Sequence, residues 1–470
     1  MRVRLNNRSE WASLRNALRG RGEFHDSVIA DDVAAITQSD LISGSALYGR
    51  GIELRGRSVL VATSSQLTTA SALIELDGLA RRLVICPPDF SLQHLPLVME
   101  AAEVDAIVSD RPMQHFGRMR SILFCPCSKT VAPGVESGGA YCKTEWVLLT
   151  SGTTGVPKLV AHSLASLAGA IGPAENTETK VVWSTFYDIR RYGGLQILLR
   201  CVLTGASLVL SSSREPTAKF LARAAKQGVT HISGTPSQWR QALMGAAAHV
   251  IAPEYVRLSG EIADQGILNG LRAIYPSAQV VHAFASTEAG VAFEVTDGLA
   301  GFPASTLEGT AEVEMKLECG SLRIRSSRNA SRYLGGGAPP LKSEDGFVDT
   351  GDMLERREDR YYFMGRRDGA INVGGLKVHP EEVEAVINRH PAVRTSLVRT
   401  KKSPVTGALV IADVVLQRDP EPTRCNAKSI QDDILLLCRE SLSSYKVPAA
   451  INFIPALTVA ESGKVLRRNA

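Results

Sequence analysis

The chain has 470 residues, 44% hydrophobic and 21% charged, which is ordinary globular composition and excludes collagen-like, fibrous and disordered classes. Its 53 basic and 48 acidic residues leave a net charge of +5, spread along the chain, so no nucleic-acid or membrane-surface footprint emerges. No run reaches the roughly 18 apolar residues of a membrane span, and the N-terminus lacks an apolar signal core. The eight cysteines are scattered, with only Cys125 and Cys127 close together, which predicts reduced, buried thiols in a cytoplasmic protein.

The first 145 residues alternate short β-rich runs with helical patterns. Arg57 to Thr63 reads as a strand, Leu67 to Leu79 as a helix and Arg82 to Cys86 as the next strand. A helical stretch over Leu97 to Ala102 precedes a strand at Val104 to Val108. Such alternation predicts βαβ units and a mostly parallel sheet. The rhythm continues with strands at Trp146 to Leu149, Lys180 to Ser184 and Ala206 to Leu210, and helices from Ser163 and over Thr217 to Lys226. After about Gly309 short strands dominate (311–317, 322–325, 360–363), which predicts a small β-subdomain. The tail reads as a separate α+β unit: strand–turn–strand over 368–378, a helix from Glu381, a strand at 408–416 and a helix over 430–440. The boundary falls at 365–368, giving a large N-terminal unit (1–367) and a small C-terminal one (368–470).

The sharpest local feature is Thr150-Ser151-Gly152-Thr153-Thr154-Gly155-Val-Pro-Lys158, between a predicted strand and a helix-like run. Its glycines allow a tight turn and close ligand approach. Its hydroxyls and backbone N–H groups offer donors to phosphate oxygens, and Lys158 adds positive charge. The spacing is not that of a P-loop ATPase.

This loop closely resembles the signature of the adenylate-forming superfamily: acyl- and aryl-CoA synthetases, peptide-synthetase adenylation domains and luciferases. Four further segments follow in the family's order. Each alone reads as an ordinary turn, strand end or solvated tail, and it is their order that carries the resemblance. Phe284-Ala-Ser286-Thr287-Glu288 is similar to the aromatic-Gly-x-Thr-Glu element, with alanine for the usual glycine. The resemblance implies that Phe284 stacks on adenine, that Ser286 and Thr287 lie at the nucleotide, Thr287 at the α-phosphate, and that Glu288 holds Mg²⁺. Asp349-Thr-Gly-Asp352 resembles the Thr-Gly-Asp element, with Asp352 on the ribose hydroxyls. Gly365-Arg366-Arg-Asp368 through Gly374-Gly375-Leu-Lys377 resembles the domain junction. It implies Arg366 on ribose and phosphate, Asp368 as the hinge of a mobile C-terminal domain, and Gly374, Gly375 and Lys377 along the thiol channel. Glu461-Ser-Gly-Lys464 resembles the C-terminal element whose lysine catalyses adenylation.

The implied activity is ATP- and Mg²⁺-dependent formation of an acyl adenylate, then transfer to CoA or to a carrier-protein phosphopantetheine. No general base is required, because a carboxylate is already ionised at pH 7. The implied acid pocket contains Tyr187, Asp188, Arg191, Gly260 and Glu261. Phe186-Tyr187 stands where acyl-CoA synthetases carry Phe-His, and Asp188 lies one place later than in amino-acid activators, so the acid's class stays open. Arg190 and Arg191 either bind a second acidic group or pair with neighbouring acids such as Asp188. His162 and His282 read as packing residues. Six residues follow Lys464, so a stand-alone enzyme is expected. An amino-acid or aryl-acid adenylating enzyme that loads a carrier protein is the alternative. A non-catalytic binding protein is the third reading, and Lys464, Glu288 and Asp352 argue against it.

Overall fold

In the computed structural model, described for residues 13–20, 27–87, 89–116, 122–133, 141–150, 157–172, 180–212, 215–373, 376–403, 407–417 and 424–458, two large sheets dominate the first 300 residues. The seven-stranded sheet is built on Ser58–Val61, Arg82–Ile85, Ala106–Ser109 and Glu145–Thr150, all mutually parallel where they pair. Val59, Leu60, Val61, Leu83, Val84 and Ile85 are each wholly buried. Continuous apolar runs of this kind are what a sheet covered on both faces requires. The helix Gln66–Leu76 links the first two strands, with Ser65 as its N-cap, and is buried along its whole length.

The eight-stranded sheet has at its centre the parallel strands Val182–Thr185, His231–Gly234, Tyr255–Ser259 and Gln279–Ser286. Gly290–Val295 returns antiparallel at its edge. A five-stranded sheet follows, with Val313–Glu318, Ser321–Ser326, Val348–Arg357 and Arg360–Arg366 in antiparallel contact, as the short-strand pattern predicts. The C-terminal part carries the hairpin Ile371–Val373/Leu376–Val378, the helices Pro380–Ile387 and Arg424–Ser441, and a three-stranded sheet with its own core. The fold is thus mixed α/β, with a large N-terminal domain and a smaller C-terminal one.

Two local expectations change. The residues after the hydroxyl-and-glycine loop form a strand, Lys158–Ser163, and not a helix. Leu159, Val160 and Ala161 are buried in succession because this strand lies between two others in the sheet. The short helix begins only at Leu164, capped by Ser163. The segment around Gly193 and Gly194, read only as pocket lining, opens the helix Tyr192–Thr204. A Cβ on Gly194 would lie 2.3 Å from the Asp188 carbonyl oxygen, so glycine is what lets the helix start against that turn. Among the described cysteines all are free, and Cys319 is the exposed exception to the expected burial. No helix among the described residues is long and apolar enough to cross a membrane.

Candidate active site

The parallel strands of the eight-stranded sheet end at one edge, where ligand crevices of open α/β sheets form. The turn 287–289 lies there, between Gln279–Ser286 and Gly290–Val295. Within it Ser286 Oγ accepts the Ala289 N–H at 2.9 Å, so that hydroxyl shapes the turn. Gly290 has φ +74°, and a Cβ there would lie 2.6 Å from the Arg328 carbonyl oxygen, so only glycine closes this turn against its neighbour.

The seven-stranded sheet meets this turn through one face of a strand. Glu145–Thr150 and Lys158–Ser163 pair antiparallel, with Thr150 opposite Lys158, so both flank the loop expected to hold phosphate. Residues 151–155 themselves lie outside the described residues, as do Gly374, Gly375 and Lys464. Side chains two apart on a strand share a face, which puts Lys158, Val160 and His162 on one side. From that side His162 Nε2 reaches the Thr287 carbonyl oxygen at 2.7 Å. A carbonyl only accepts, so Nε2 carries the hydrogen. His162 Nδ1 lies 3.0 Å from Ser166 Oγ. Burial pushes the imidazole down to about 4, so it is neutral near pH 7.

Tyr333, on the adjoining strand Arg332–Leu334, stands directly opposite Val160 and joins the same face. Its hydroxyl donates to Glu288 Oε1 at 3.3 Å. The Lys158 ammonium lies 5.4 Å from its ring centroid. The Glu288 carbonyl accepts the Ala330 N–H at 2.9 Å. The Thr-Glu turn is therefore held at three points, by His162 and Tyr333 on two strands and by the Ala330 N–H just before the second of them. Tyr333 has no motif, and sequence reading missed it; His162 was read as packing, and its contact explains why it is buried.

Phe284 and the five-stranded sheet supply the next group. The Phe284 ring lies near-parallel to Phe363 (5.0 Å between centroids, 8° between planes) and to Phe293 (5.8 Å, 17°). It is half-buried in an aromatic cluster, so an adenine would share it with protein rings. Asp352 and Arg366 are direct cross-strand partners, which brings the two residues expected at the ribose together. Gly351 has φ +72°, and the Arg366 guanidinium is 3.4 Å from where its Cβ would be. Arg367 donates to Asp349 (3.1 Å), which also accepts from Ser321 (2.6 Å). Asp368 follows in the single turn Arg367–Gly369.

In the segment expected to line the acid pocket, the pairing alternative holds for both arginines. Tyr187 is buried, and its hydroxyl lies 2.7 Å from the Ser259 carbonyl oxygen and 2.9 Å from Ser259 Oγ. Burial pushes the phenol up to about 12. Asp188 and Arg190 form a two-pronged buried ion pair (2.7 and 2.6 Å), and Arg190 also donates to the Thr63 carbonyl at 2.6 Å. Arg191 pairs with Asp89. In this arrangement Asp188 and Arg190 are paired with each other and Arg191 is paired with Asp89. Gly260 (φ +83°) is exposed beyond Ser259. Glu261 accepts the Ser237 N–H at 2.9 Å, in the first turn of the helix Pro236–Leu243, where a carboxylate is stabilised. Lys377 is exposed on the hairpin after the junction.

Among the described residues no three His, Cys, Asp or Glu side chains cluster tightly enough to hold a metal by themselves. Glu288 offers one carboxylate, which among the described residues accepts a long bond from Tyr333. That fits Mg²⁺, which takes one or two carboxylates and fills its remaining positions with water and substrate phosphates.

Comparison with known proteins gives two family models in order along the chain. The AMP-binding enzyme model matches residues 144–320 and the AMP-binding enzyme C-terminal domain model matches 382–464. A 4-hydroxybutyrate–CoA ligase of Metallosphaera sedula is 26% identical over 360 residues, 68% of this chain and 60% of that relative's length. A 2-succinylbenzoate–CoA ligase of Bacillus cytotoxicus is 23% identical over 93% of this chain and 95% of its own. The crystal structure of the anthranilate CoA ligase AuaEII in complex with anthranoyl-AMP superposes with a TM-score of 0.78 at 15% identity, covering 96% of this chain and 95% of that one.

Proposed function

This chain belongs to the adenylate-forming superfamily of AMP-binding enzymes, and on that premise we propose that it activates a carboxylic acid with ATP as an acyl adenylate, releasing pyrophosphate, and passes the acyl group to a thiol, CoA first. The observation that carries this is the meeting of Tyr333 and Glu288 with Lys158, which opens the strand following the hydroxyl-and-glycine segment, within a chain matched by both family models.

Acid and nucleotide are both anions, so catalysis rests on positioning and on neutralising charge that builds on the phosphates. Residues 150–155 and Lys158 bind phosphate oxygens, Thr287 lies at the α-phosphate, and Phe284, Asp352 and Arg366 orient the nucleoside. Glu288 holds Mg²⁺, which when bound screens the phosphate charge. Residues 1–367 form the nucleotide- and acid-binding domain. Residues 368–470 form a mobile domain turning about Asp368; it brings Lys464 for adenylation and Gly374, Gly375 and Lys377 for the thiol. The acid enters beside Tyr187, Gly260 and Glu261. The setting is the cytoplasm, where ATP and CoA are available.

Pyrophosphate exchange across fatty, aryl, dicarboxylic and amino acids tests the reading. An acid-dependent exchange, followed by acyl transfer to CoA, is the expected result. Transfer to a phosphopantetheinylated carrier and not to CoA would replace the acceptor while keeping the adenylation. Cleavage of ATP to ADP with the responsive acid would overturn the reading.

A further inference from the structure

We infer that Tyr333 is a positioning residue that keeps Lys158 and Glu288 apart and ready, one for phosphate and the other for the metal. The inference rests on the function proposed above and goes beyond its motifs. Lys158 and Glu288 carry opposite charges and both lie against the same side chain, Tyr333. Left to themselves, an ammonium and a carboxylate in one crevice pair with each other. Such a pair would have to be broken before either group met its part of the nucleotide.

Tyr333 gives each a separate and weaker partner. Its ring is under the Lys158 ammonium, 5.4 Å from centroid to Nζ, within the reach of a cation–π contact. Its hydroxyl donates to Glu288 Oε1 at 3.3 Å, a long bond that leaves the other oxygen uncommitted to this contact. The ring cannot slide away, because its strand is paired to Lys158–Ser163 with Val160 opposite Tyr333. The turn cannot slide either, because His162 and the Ala330 N–H grip the Thr287 and Glu288 carbonyls from the same side. The spacing between the two charges is therefore set by backbone pairing, with one phenol as the spacer.

The test is ATP binding by titration calorimetry on the full chain, with no acid present, in MgCl₂ and in EDTA. Tyr333→Phe keeps the ring and loses the hydroxyl. Its ATP affinity is expected to fall about fivefold in MgCl₂, as for loss of one ordinary hydrogen bond, and to change less than about twofold in EDTA. Tyr333→Leu removes the spacer, so affinity falls in both buffers. Adding Glu288→Gln to Tyr333→Leu restores the EDTA affinity, since the competing ion pair is then gone. Equal losses for Tyr333→Phe in both buffers, no loss in either, or no rescue by Glu288→Gln would overturn the assignment while leaving ATP binding by the unaltered chain intact. If the unaltered chain binds no ATP in MgCl₂, the functional reading itself falls.

Discussion

His162 donates its Nε2 hydrogen to the Thr287 carbonyl across 2.7 Å, fastening the strand that leaves the hydroxyl-and-glycine loop to the turn that carries Glu288. The two residues are 125 positions apart in sequence, His162 on a strand of the seven-stranded sheet and Thr287 in a turn joining two strands of the eight-stranded sheet. One imidazole thus fixes the spacing between two segments of the proposed nucleotide site.

That imidazole makes stability depend on pH. Its folded value is pushed down to about 4, against 6.5 ordinarily. Between those values the unfolded chain takes up a proton that the folded chain refuses, so this contribution is complete above about pH 6.5 and is lost as pH falls towards 4. At about 1.4 kcal/mol per unit its size is at most about 3.5 kcal/mol. Asp77 acts in the opposite sense in an overlapping range. Burial pushes it up to about 6, against bonds from the Leu14 N–H and Trp146, so it favours folding as pH falls through 6. The difference between the unaltered chain and His162→Gln isolates the histidine. Denaturant unfolding from pH 4 to 7 should show that difference shrinking as the pH is lowered; a constant difference would contradict the assignment.

Gly365 opens the junction, with φ +131°, and a Cβ there would come within 2.3 Å of Glu381 Oε2 on the first turn of the helix Pro380–Ile387. Gly365→Ala should cost about 1–2 kcal/mol from backbone strain alone, with more from the clash. Adding Glu381→Ala should recover the clash and leave the strain. Unfolding midpoints of the single and double variants measure both parts.

Asp368→Pro fixes its own φ and restricts Arg367, which is tied to Asp349. If residue 368 is where the C-terminal domain turns, thiol transfer should slow more than adenylation. Pyrophosphate exchange and thioester formation, measured separately on this variant, decide it; equal losses would remove the hinge.

Much of the fold was legible because parallel strands buried on both faces are written as short apolar β-branched runs, as in 58–61 and 82–85. The strand Lys158–Ser163 was not, since Leu159, Val160 and Ala161 suit a buried helix equally well and only its neighbours decide. Asp352 and Arg366 were singled out one by one through their motifs, and that they stand opposite each other is a matter of strand register the motifs do not carry. Asp188 with Arg190 was legible as a local alternative, and the structure takes it. Tyr333 was invisible because its partners lie 45 residues away in the turn and across a strand pair, and a lone tyrosine before Leu334 carries no spacing signal.

The most direct test of the account is pyrophosphate exchange by Lys464→Ala with whichever acid the unaltered chain accepts. Loss of a positioned charge at the phosphates should slow exchange by about 10²–10³-fold, while pre-formed acyl adenylate still passes its acyl group to the thiol. Exchange at the unaltered rate would contradict the claim that this lysine closes over a nucleotide held at the hydroxyl-and-glycine loop.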